Sequence, residues 1–91
     1  MATRTRYATL DIPFDQWKDS YAKLLTTIGG VMSWGIDHDK EVVIYLFRFD
    51  NVRYSSALLR IFPRLDLWRF GLKKRDYDIT LRLIKSLEFN G

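Results

Sequence analysis

The densest group of potential ligands and proton carriers in the sequence is Asp37-His38-Asp39, followed at once by Lys40 and Glu41. Carboxylates and an imidazole together can hold a metal ion, and a histidine beside a carboxylate can act as a general base. Here all four groups fall within five consecutive residues. Side chains that alternate across extended chain do not easily converge on one ion. Aspartate is also favoured in turns, because its carboxylate accepts bonds from nearby backbone amides. The segment therefore reads as a solvated hairpin turn. His38 is the only histidine, and no evident nucleophile accompanies it.

The other constellations are weaker still. Asp76 and Asp78 lie on one side if their segment is a strand, but Lys73, Lys74 and Arg75 directly precede them, which suits a polar turn. Ser20 and the pair Ser55-Ser56 lack the glycine-flanked elbow of a serine hydrolase. Gly29-Gly30 lacks the Lys-Ser or Lys-Thr and the further glycine of a phosphate-cradling loop. The absence of cysteine removes disulfides, thiolate nucleophiles and Cys-ligated metal centres together. The expectation is a protein that is not an enzyme and needs no cofactor or metal.

Charge offers a more specific lead. Up to Phe47 there are five Lys and Arg against six acids, and from Arg48 there are ten against five. All of the net charge of +4 thus arises in the C-terminal half. Arg53, Arg60 and Arg64 recur at spacings of seven and four, roughly one side of a helix, and Arg69, Lys73, Lys74 and Arg75 follow. Guanidinium groups on an exposed helical face can grip carboxylates or phosphates through planar, bidentate hydrogen bonds. These seven residues are the expected partner-binding set, and a protein with an acidic surface is the expected partner.

The elements that must carry these residues follow from periodicity. The chain of 91 residues, 47% hydrophobic and 15% aromatic, reads as a single folded domain over residues 1–91. Residues 7–12 alternate as a half-buried strand. From Phe14 to Ile28 the apolar residues Phe14, Trp17, Tyr21, Leu24, Leu25 and Ile28 form a helical stripe that Asp15 can cap and Gly29-Gly30 can end. Residues 31–37 and 41–49 read as an antiparallel hairpin whose second strand is apolar on both faces. Asn51 then caps a second helix that Pro63 stops, and residues 65–72 return to a strand with Gly71 near its end. The stretch from Tyr77 to Phe89 fits either a strand or a helix, a helix from about Asp78 being favoured. The order matches the α+β, ferredoxin-like βαββαβ arrangement: an antiparallel sheet, two helices on one face and a C-terminal extension.

That arrangement poses a question of cover. With Ala8, Leu10, Ile12, Val42, Ile44 and Leu46 turned toward the helices, the opposite face presents Tyr7, Val43, Tyr45, Phe47, Phe49, Trp68 and Phe70. An aromatic surface of this size is not left bare in a soluble monomer. Its cover is the C-terminal segment, a second copy under a two-fold axis, or single-stranded nucleic acid stacking on the rings. Tyr45, Phe47, Phe49, Trp68 and Phe70 are accordingly the expected sheet-face interface.

The sequence reading is a small regulatory or inhibitory protein-interaction domain, dimeric through this face. Its alternative is an RNA or single-stranded nucleic-acid binder using the sheet aromatics and the C-terminal basic residues. Tyr45-Leu46-Phe47-Arg48-Phe49 keeps only the every-second-residue aromatic spacing of an RNA-recognition strand, without its glycine. No uncharged apolar run reaches the roughly 18 residues needed to span a bilayer, and the start does not develop into a secretory signal. No membrane association and a cytoplasmic location are expected.

Overall fold

A computed structural model describes residues 5–88. The chain runs through β1 (Arg6–Pro13), a 3-10 turn (Phe14–Gln16), α1 (Asp19–Thr27), β2 (Val31–Asp37) and β3 (Val42–Phe49). It continues through α2 (Arg53–Ile61), a second 3-10 turn (Leu65–Leu67), β4 (Trp68–Phe70) and α3 (Lys74–Glu88). The fold is α+β: three helices and one four-stranded sheet in the order β2-β3-β1-β4, with every neighbouring pair antiparallel.

Register corrects the expected division of faces. Residues directly opposite one another in an antiparallel pair share a face. Ala8 faces Phe47, Leu10 faces Tyr45 and Ile12 faces Val43, while Phe70 and Trp68 lie opposite Ala8 and Leu10 on the far side of β1. The aromatic residues of β3 and β4 therefore lie on the same face as the small and aliphatic residues of β1. Leu25 of α1, Leu58 of α2 and Phe62 close over that face in one buried cluster. Alternation reveals parity within each strand, whereas parity between strands depends on how they pair.

The second face carries Tyr7, Val42, Ile44 and Leu46, and α3 covers it with Tyr77, Leu81, Ile84 and Leu87. The ambiguous C-terminal segment is thus a helix, beginning at Lys74 rather than near Asp78. It lies close over β2: a Cβ added at Gly35 would sit 3.2 Å from Ile84 Cγ2. With α1 and α2 on one side and α3 on the other, the sheet is enclosed as the middle layer.

Two further boundaries differ for local reasons. The stripe beginning at Phe14 is not one helix, because Trp17 and Lys18 are extended between the 3-10 turn and α1. There the Trp17 indole donates a 3.0 Å hydrogen bond to the Tyr45 hydroxyl, and Phe14 N–H donates to Glu41 at the end of the hairpin. The expected strand over residues 65–72 shortens to Trp68–Phe70 after the second 3-10 turn. At α2, the Asn51 side chain does accept the Arg53 N–H, at 2.9 Å. Gly29 and Gly30 have φ of 79° and 77°, as the end of α1 requires.

Candidate functional site

The hairpin turn is built as a turn. One Asp37 carboxylate oxygen accepts the N–H groups of Asp39 and Lys40, each at 3.1 Å, and Glu41 occupies the left-handed region at φ 55°. The His38 ring meets Phe14 edge-on, with centroids 5.9 Å apart. Among the described residues, no group of three or more His, Cys, Asp or Glu is placed to hold a metal ion. A depression beside the turn is lined by Pro13, Phe14, Asp15, Lys40, Glu41 and Val42.

Asp11 is a partly enclosed carboxylate on β1, on the side of the sheet that α3 covers. Burial raises its pKa above the ordinary value, against the opposing pull of Arg69 and Lys40, and Asp37 adds to the rise.

The rings expected at an interface are largely core. Tyr45 and Phe47 have no exposed surface, and Trp68 and Phe49 retain 5% and 8%. Phe47 packs on Trp68 at 5.3 Å, and Phe70, half-buried, stacks on Trp68 at 5.1 Å. The Trp68 indole donates to the Phe62 carbonyl at 2.8 Å, so its polar edge is satisfied inside the protein. Tyr45, Phe47, Phe49 and Trp68 are thus enclosed beneath α1, α2 and the chain after α2, and Phe70 alone of the five keeps an intermediate exposure. Trp34 of β2 lies beside Tyr45 at 5.9 Å and keeps 39% of its surface.

The basic residues separate into groups. Arg53 and Arg60 lie on α2, over the first sheet face, and both are exposed. Arg64, just beyond α2, is held in a fork: its Nε and Nη2 donate to the two Asp66 carboxylate oxygens at 3.1 and 2.9 Å, and Nη1 donates to Gln16 at 2.8 Å. Those hydrogen bonds lower the Asp66 pKa. Arg69 is exposed on β4, paired across from Thr9. Lys73 precedes α3, and Lys74 and Arg75 open it on the opposite side of the sheet from α2; Lys74 reaches Asp78 at 3.3 Å. The seven expected contacts are therefore not one patch.

What remains is the outer side of α2. Arg53, Ser56, Ala57 and Arg60 are exposed at helical spacing, and residues 53–61 include no acid. Neither guanidinium forms an ion pair among the described residues. Arg60 suits the negative end of the helix, but Arg53 in the first turn opposes the macrodipole. Helix stability alone does not account for its position. Tyr54 fixes the orientation of α2 by directing its hydroxyl at the carbonyl oxygens of Ile28 and Gly29, where α1 ends.

Compared with known proteins, the chain matches no family model, no curated protein and no solved structure. No helix among the described residues is long and apolar enough to cross a membrane.

Proposed function

We propose that the protein is a non-enzymatic, regulatory or inhibitory interaction domain acting in the cytoplasm, and that it docks on an acidic protein surface through the outer side of α2. The observation that carries this reading is the exposed Arg53 and Arg60 pair on a helical side without acids. The two small residues between them, Ser56 and Ala57, allow a partner's carboxylates to approach both guanidinium groups. The strand order and the pairing of α1 with α2 over one face support the ferredoxin-like arrangement, a rigid support for this helix.

An RNA or single-stranded nucleic-acid reading loses its stacking residues to the core and retains only charge. Charge alone gives sequence-blind, strongly salt-dependent binding. The test is a fluorescence-anisotropy titration with a labelled polyglutamate peptide and, separately, a uridine-rich RNA. Replacing Arg53 and Arg60 together by alanine weakens polyglutamate binding by about fivefold if each exposed contact contributes about 0.5 kcal/mol. Unchanged polyglutamate binding overturns the proposal. Tighter RNA binding, with a salt slope that falls by about two in the double variant, transfers the site to a phosphate backbone.

A further inference from the structure

We infer that Ser56 is a phosphorylation site whose phosphate switches off docking through α2, an inference that rests on the docking reading above. Ser56 is exposed between Arg53 and Arg60 on the outer side of the helix. Its hydroxyl forms no hydrogen bond among the described residues, whereas Thr26, Thr27 and Thr80 each bond back to the carbonyl four residues earlier. The Ser56 oxygen is therefore open to reaction. Charge pattern singles out the same residue. A kinase with an acidic cleft chooses its target by a basic residue at a fixed distance, and an arginine three residues earlier is such a signal. Only Thr9 and Ser56 have one. Thr9 is 4% exposed in the middle of the sheet, which leaves Ser56.

The phosphoryl group comes from ATP: the Ser56 oxygen bonds to the γ-phosphorus as the bond to the bridging oxygen of ADP breaks, and the hydroxyl proton passes to a carboxylate of the kinase. Of the nine residues of α2 only Leu58 is buried, so the helix can open into a kinase cleft without unfolding the sheet. Once attached, the phosphate meets both arginines. On a helix, the residues three before and four after a position flank it on one side, about 4.5 and 6 Å away along the axis. Arg53 and Arg60 hold those two offsets from Ser56, and neither forms an ion pair among the described residues. A phosphate of charge about −2 accepts hydrogen bonds from both guanidinium groups. It also suits the N-terminal half of α2, where Arg53 opposes the macrodipole. The arginine pair is then neutralised within the helix, and α2 no longer attracts carboxylates.

The full chain, incubated with ATP, magnesium and an arginine-directed serine kinase, is expected to gain one phosphate, located on Ser56 by tandem mass spectrometry and lost in Ser56→Ala. With phosphoserine installed at Ser56 during translation, phosphorus NMR is expected to give a second phosphate pKa about 0.5 lower than in the same chain carrying Arg53→Ala and Arg60→Ala. Polyglutamate binding is expected to weaken by about fivefold or more on phosphorylation and to return after phosphatase treatment. No phosphate on Ser56 of the folded chain, a phosphate pKa indifferent to the two arginines, or docking unchanged by the phosphate overturns the inference. Should polyglutamate binding by the unmodified chain ignore the two arginines, the docking reading fails and the switch with it, while mass spectrometry and the phosphorus titration still decide whether Ser56 is the modified residue.

Discussion

Ile84 and Ile79 lie on the same helix and differ in little but their surroundings, which makes them a controlled pair for the role of α3. Ile84 has no exposed surface and packs with Ile44, Leu46 and Tyr77, whereas Ile79 is 56% exposed. Truncating a buried isoleucine to alanine removes its transfer free energy and leaves a cavity, costing about 2–5 kcal/mol. The same change at an exposed position usually stays within about 0.5 kcal/mol, and alanine's higher helix propensity offsets part of that. A domain of this size shifts its Tm by about 4–8 °C per kcal/mol. Ile84→Ala should therefore lower the Tm by at least about 8 °C, with Ile79→Ala close to the parent, as read by circular dichroism on heating. If Ile84→Ala costs under about 1 kcal/mol, or if the two variants behave alike, α3 does not seal the second face of the sheet.

Three further outcomes follow from the packing. Tyr45→Phe deletes the acceptor of the Trp17 indole and should cost about 0.5–1.5 kcal/mol in urea unfolding, with α1 retained in the helical signal. Gly30→Ala places a Cβ 3.0 Å from Tyr54 Cε1 and 3.3 Å from the Arg48 carbonyl, at φ 77°; a loss of at least about 1 kcal/mol is expected, and a neutral result would contradict the described path from α1 into β2. For Asp11, burial raises the folded-state pKa above the unfolded value, so the folded chain binds this proton more tightly and the group's ionisation weakens folding as pH climbs between the two values. Asp11→Asn should therefore gain stability relative to the parent at neutral pH and lose that advantage in acid, a trend that unfolding midpoints across pH would reveal or exclude.

Much of this fold is written in local patterns. The alternation of Ala8, Leu10 and Ile12, the run from Val42 to Phe47, and the Gly29-Gly30 stop each mark an element that forms where expected. The Asp37 turn was legible as well, because its chemistry involves only its own backbone. The relation between strands was not. Leu10 and Tyr45 share a face because β1 pairs with β3 in one particular register, and no periodicity within either strand reports that alignment. The candidate site divides the same way. Arg53 and Arg60 were visible from their spacing, but the diversion of Arg64 to Asp66 and Gln16 required tertiary structure. So did the separation of Lys74 and Arg75 onto the α3 side of the sheet.

Whether the sheet aromatics are interior or presented to a partner determines everything said about function, and solvent paramagnetic relaxation of the side-chain protons reads it ring by ring. With a soluble gadolinium chelate, the Phe47, Tyr45 and Trp68 rings should show little enhancement while Trp34 and Phe14, both 39% exposed, show a large one. Strong enhancement of Phe47 and Trp68 would mean that α1 and α2 do not cover them, and would return the contact surface from α2 to the sheet.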